Sequence, residues 1–238
     1  MSILPFKSIP KISTLSNGLR VATIPVQSEI STIGIWVKSG SIYENAHNNG
    51  VSHYLEHILF RGNNLYPQSK LEEITDLYGI NITAQTTRTT TSFSAEISNQ
   101  NLDIATKLIS QIVFNPKIED RAVENERLTI LMEEKEVSRN YDEVIWDNLH
   151  LNVYPDSPVR FPILGSHSNI KMISAQMIQD QYKKFYNPSN CIFLCATKLE
   201  HEHCCESIQK ATSFIKKQPP LNIAEIDDKL KINFQRFY

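Results

Sequence analysis

Val51-Ser52-His53-Tyr54-Leu55-Glu56-His57-Ile58-Leu59-Phe60 is the stretch from which the rest of the chain can be read. Val51, Tyr54, Leu55, Ile58 and Leu59 recur at helical spacing, so this segment is predicted to be a helix with one apolar stripe. Residues i and i+4 leave the same face of a helix one turn apart, so His53 and His57 can turn both imidazoles toward one metal ion. Glu56 stands between them and leans toward the same space, better placed to reach a water at the metal than the metal. Catalytic zinc has three protein ligands and one open position, and it brings the pKa of water down to about 7. A carboxylate placed like Glu56 can then take that proton and later give it to a leaving amine. The pattern is short, and the polar side of an ordinary amphipathic helix reads the same way.

A third ligand has to come from elsewhere. Glu119, Asp120, Glu124, Glu126, Glu133, Glu134 and Glu136 crowd one helical stretch, and most of them fit a solvated face. Glu126 and Glu133 lie seven apart, two turns along one stripe, beside apolar Ile130 and Val137. Carboxylates on a buried stripe need a partner, which a metal and its histidines would supply. Spacing alone leaves Glu133, Glu134 and Glu136 open as the ligand.

Outward from these two helices the periodicity alternates. Strands are predicted over 19–24, 30–39 and 191–196, and a strand pair over 82–97 turning near Thr87-Arg88. Helices are predicted over 69–78, opened by a Ser69-Lys70-Leu71-Glu72 capping box, over 101–114, and over about 119–150 as one long element. Two more run from Ser174 to near Tyr186 and from His201 to Ile215. This order argues for an α+β fold, a mostly antiparallel sheet with helices packed on one face. His201-Glu202-His203-Cys204-Cys205 has metal-binding residue types. Adjacent residues on a helix diverge by about 100°, so it reads as a helix start.

Bulk properties narrow the class. The chain has 238 residues, 41% hydrophobic and 21% charged, with a net charge of -2, ordinary for a globular protein and unlike a nucleic-acid binder. No apolar run approaches the roughly 18 residues of a membrane span. Cys191, Cys195, Cys204 and Cys205 include an adjacent pair, a poor disulfide framework, so a reducing compartment is expected. The first eleven residues show no secretory signal and no visible mitochondrial presequence.

The H-x-x-E-H order is the inverted-zincin signature. With Glu133 following 76 residues after His57, it resembles the pitrilysin or insulinase family of zinc peptidases, and within that family the β-type mitochondrial processing peptidases. Asn17-Gly18-Leu19-Arg20-Val21, the segment 34–62, Glu126-Arg127 to Val137, Pro162-Ile163-Leu164-Gly165 and the turn 186–190 carry the resemblance over nearly the whole chain. It implies a zinc metalloendopeptidase that cleaves N-terminal presequences of imported proteins, in the mitochondrial matrix or a mitochondrion-derived organelle. His53, His57 and Glu133 would be the zinc ligands and Glu56 the general base. Glu126 matches an acid supporting the site from behind the ligands.

The resemblance also implies a substrate subsite. Phe60 matches a pocket residue for the side chain after the cleavage point, and Ala84 lies on an edge strand that pairs with extended substrate. Glu143 and Asp147 match two acids that bind a substrate arginine, and their i, i+4 spacing suits a guanidinium fork. Thr83 stands where the family has Asn, and Thr89 where it has an acid. Family chains join two related halves. This sequence matches the first half, with residues 1–218 as the zinc-peptidase domain and 219–238 as the start of a linker. A second half-size chain or an α-type subunit is therefore the expected partner. The alternatives are a non-catalytic core subunit of the same fold, or a peptidase of the family working outside mitochondria.

Overall fold

The computed structural model describes residues 9–219. The expected linker, 219–238, lies outside them except for its first residue. Six strands, β1 (Lys11–Thr14), β2 (Arg20–Pro25), β3 (Ile30–Val37), β4 (Asn81–Thr86), β5 (Thr91–Ser98) and β6 (Cys191–Thr197), form one sheet in the order β1-β2-β6-β3-β5-β4. All neighbours are antiparallel except β2 and β6, which run parallel with Val21 opposite Phe193. The last strand in sequence thus lies inside the sheet, between β2 and β3.

The period-two pattern sorts the faces. Ile33, Ile35, Val37, Phe93, Ala95, Ile97, Phe193 and Cys195 turn one way and are almost wholly buried. Trp36, Ile192 and Leu194 point the other way and are half-buried. Helices cover the first face, as the α+β reading requires. The helices are α1 (Val51–Leu59), α2 (Gln68–Tyr78), α3 (Leu102–Phe114), α4 (Asp120–Val137), α5 (Tyr141–Val153), α6 (His167–Met172), α7 (Ala175–Phe185) and α8 (His201–Ala211), of which α1, α3 and α8 make the main contacts with the strands. Strand β4 is one edge of the sheet, and α1 packs against it.

Three local expectations need correction. The 119–150 stretch is two helices, because the chain turns at 138–140 and Asn140 accepts the Asp142 N–H to start α5 afresh. Ser69 caps nothing: α2 begins one residue earlier, after Pro67 in an extended conformation, with Gln68 bonded to Glu72. The last helix ends at Ala211, short of Ile215.

Candidate metal centre

Helix α1 is fixed before any functional atom is considered. Gly50 enters it at φ 98°, and a Cβ there would meet the Leu164 carbonyl oxygen at 2.5 Å, so only glycine fits this crossing. The buried carboxylate of Glu44 accepts the N–H groups of Gly50 and Ser52, each at 2.8 Å, and the Asn49 amide at 2.9 Å. These are orphan donors of a helix start, where the macrodipole also favours an anion. Burial pushes the Glu44 pKa up, outweighing the pull of those donors. On the far side the Tyr54 hydroxyl donates to the Val123 carbonyl at 2.5 Å, tying α1 to α4.

Helix α4 then presents Glu126 and Glu133 to α1. His57 Nε2 stands 3.2 Å from one Glu133 oxygen and His53 Nε2 3.5 Å from the other. His53, His57 and Glu133 each offer one donor atom within 4.8 Å of the other two. Donors 2.0–2.2 Å from a tetrahedral zinc stand about 3.4 Å apart, so this N₂O set fits the ion in spacing as well as in chemistry. Glu134 instead bonds His167 at 3.1 Å, and Glu136 is exposed. Of the three acids left open by spacing, Glu133 is the one that faces the histidines.

Around this triangle the supports differ. His57 Nδ1 meets the buried Glu126 at 2.9 Å, and the other Glu126 oxygen meets the Arg61 guanidinium. His53 Nδ1 is buried without a hydrogen-bond partner among the described residues. Glu56 lies beside the triangle, and one of its oxygens accepts the Thr86 hydroxyl at the end of β4. The imidazoles of His53 and then His57 hold the Glu133 carboxyl well below the usual carboxylate range. Burial pulls the His57 pKa down, but the bonds to Glu133 and Glu126 outweigh it and the net shift is upward.

Phe60 and Ala84 line an open groove of about 360 Å³ together with Glu56, His57 and Ile82. Glu143 and Asp147 line a separate groove between α4, α5 and the 160–165 segment. There Asp147 is already paired with Arg88 at 2.6 Å, which leaves Glu143 without that engagement. The sequence places Thr86 in a strand, Arg88 at a turn and Arg61 just past the helix, but assigns none of the three a role at a site. The only signal for Arg61 was its position four residues past His57, and nothing near Thr86 or Arg88 in sequence announces their contacts with α1 and α5.

At the other end of the sheet, His201 bonds Ser13 at 2.7 Å and Thr23 at 2.9 Å, and it opens α8 as the helix-start reading had it. All four cysteines are free.

The model of the insulinase family, peptidase family M16, matches residues 20–167, a span that holds His53, Glu56, His57, Glu126 and Glu133. The chain belongs to the insulinase peptidase family. Among its insulinase-family relatives is the β subunit of the mitochondrial-processing peptidase of Dictyostelium discoideum, 36% identical over 217 residues, which are 90% of this chain and 46% of that one. Subunit 1 of the mitochondrial cytochrome b-c1 complex of Mus musculus is 30% identical over 211 residues, 88% of this chain and 44% of that one. A protease from Helicobacter pylori shares the fold with a TM-score of 0.82 at 21% identity, over 89% of this chain and 52% of that one. The chain thus spans about half the length of the curated relatives it matches. No helix among the described residues is long and apolar enough to cross a membrane.

Proposed function

We propose that this chain is the zinc-bearing half of a metalloendopeptidase that removes N-terminal presequences from imported mitochondrial proteins. The carrying observation is the convergence of His53, His57 and Glu133 beside Glu56, at the foot of an open sheet edge. His53, His57 and Glu133 would hold the ion, which supplies Lewis acidity and an acidified water at neutral pH.

The chain's own groups supply the rest. Strand β4 offers unpaired backbone to an extended peptide, which adds to the sheet without needing particular side chains at Thr83 or Ala84. Phe60 gives the groove an apolar wall for the residue after the scissile bond. With Thr86 donating to one oxygen of Glu56, the other is free to accept the proton of the attacking water and later to donate it to the leaving amine. Glu143 receives a substrate arginine, and Asp147 joins it once Arg88 yields. An α-type subunit or a second half-size chain closes over the substrate. The reading places the protein in the mitochondrial matrix or a related organelle.

The test is zinc content together with cleavage of an arginine-bearing presequence peptide, by the chain alone and with an α-type subunit, beside Glu56→Gln. One zinc per chain and cleavage that disappears in the variant are expected. Zinc without cleavage in either mixture would favour the second reading, a core subunit like the cytochrome b-c1 relative. A chain that takes no zinc sinks the reading altogether.

A further inference from the structure

We infer that Arg61 is a positioning residue for the metal centre. Through Glu126 it fixes which nitrogen of His57 faces the ion. The inference rests on His53, His57 and Glu133 as zinc ligands and goes one step behind them.

Arg61 follows the end of α1, four residues and about one turn after His57. Its guanidinium meets one oxygen of Glu126, while the other Glu126 oxygen stands 2.9 Å from His57 Nδ1. Glu126 is 2% exposed and comes from α4, so this short chain of contacts crosses between two helices. A carboxylate that deep needs a partner at each oxygen. With Arg61 on one, the other is aimed at His57, and an acceptor there makes Nδ1 the nitrogen that carries hydrogen. The lone pair is left on Nε2, which is the atom 3.2 Å from Glu133. An imidazole whose far nitrogen is bonded in this way is held in both tautomer and ring orientation.

The two histidines therefore differ. His53 Nδ1 has no such acceptor among the described residues, and its ring is held by burial and by edge contact with His57 at a centroid distance of 4.7 Å. Loss of Arg61 frees Glu126 to rotate and frees the His57 tautomer, and leaves His53 as it was. The bland alternative is that Arg61 is a surface cation contributing a partly exposed ion pair; its side chain is 34% exposed.

The experiment is zinc affinity of this chain by competition with a chromophoric chelator, for wild type, Arg61→Met, Arg61→Lys, Glu126→Gln and the Arg61→Met/Glu126→Gln double variant. Arg61→Met should weaken zinc binding about 10–100-fold, the usual cost of losing such a support. Arg61→Lys should restore most of it. In the Glu126→Gln background Arg61→Met should cost little more, since both act through one contact. Nitrogen-15 spectra of the metal-free protein should show His57 hydrogen on Nδ1 in wild type, a tautomer mixture in Arg61→Met, and His53 unchanged. If Arg61→Met does not fold, Arg61→Gln carries the same comparison, with a donor but no charge. Wild-type affinity in Arg61→Met, or an undiminished loss in the Glu126→Gln background, overturns the inference while zinc binding itself stands. A wild-type chain without zinc would overturn the ligand reading first.

Discussion

Seven of the nine residues of α1 are buried, whereas none of the thirteen residues of α5 is. Both helices carry acids assigned to the same reaction. Helix α1 is clamped by Glu44 at its start, by Tyr54 bonded to α4, and by Gln181 of α7 bonded to Ser52 at 2.9 Å. Helix α5 instead turns Tyr141, Ile145 and Trp146 outward, at 83%, 62% and 58% exposure. Its apolar residues do not anchor it, and its main tie to the sheet region is Asp147 to Arg88. Bond-making geometry tolerates little motion, and the proposed reaction assigns it to the element whose rotamers are locked by packing. Recognition of a variable peptide is assigned to the element that is free to adjust.

That contrast can be broken most directly at the ligands. His57→Ala should take zinc binding below detection in chelator competition, while Glu143→Gln leaves it unchanged. Equal losses would mean that the two helices are not separate in function. In stability, Leu55→Ala on α1 should cost about 2–5 kcal/mol in denaturant unfolding, the range for truncating a fully buried leucine. Gly50→Ala should also destabilise, because its Cβ meets backbone and its φ is 98°.

A pH scan of metal-free protein sharpens the same point. The stabilisation from Glu133, whose pKa is depressed, is present above the ordinary value of 4.5 and is lost as pH falls through its folded value. That from His57, whose pKa is raised, is present below the ordinary 6.5 and is lost as pH rises through its folded value. The contribution of this pair to thermal stability, read as the difference between wild type and Glu133→Gln at each pH, should therefore be largest between about pH 4.5 and 6.5 and shrink on both sides, whatever the opposite trend from the raised carboxyl of Glu44. The smallest effect belongs to α5. Ile145→Ser should change unfolding stability by no more than about 0.5 kcal/mol, as for a surface site, and a loss above 2 kcal/mol would show that the helix is better packed than its exposure suggests.

What could be read from sequence follows the strength of the local signal. The α1 register was legible because five apolar residues and two histidines obey one period, and the strand alternation in β3, β5 and β6 is equally plain. Strand β1 was missed because its four residues are largely exposed, with Ile12 outward, so no buried alternation marks it. The break between α4 and α5 was missed because Asn140 acts as a cap only through a bond to Asp142, and its polar neighbours suit a helix surface equally well. The parallel pairing of β2 with β6 joins segments some 170 residues apart, a contact that no periodicity encodes. At the candidate metal centre the residues on α1 were visible, while Arg61 and Thr86 there, and Arg88 in the separate groove, act across elements and emerge only once the helices and hairpin are assembled.

Strand β6, last of the six in sequence, is seated between β2 and β3. As the chain emerges from a ribosome, the hairpin of β4 and β5 can form on β3 early, but β1 and β2 have no route into that sheet until residues 191–197 arrive. For most of synthesis β2 and β3 each carry an open edge facing a gap one strand wide. Open edges are the places where chains pair wrongly with one another, and late long-range closure is slow. The growing chain is therefore at its most aggregation-prone just before its final strand arrives, which makes the interval before β6 the point at which a folding helper has most to protect.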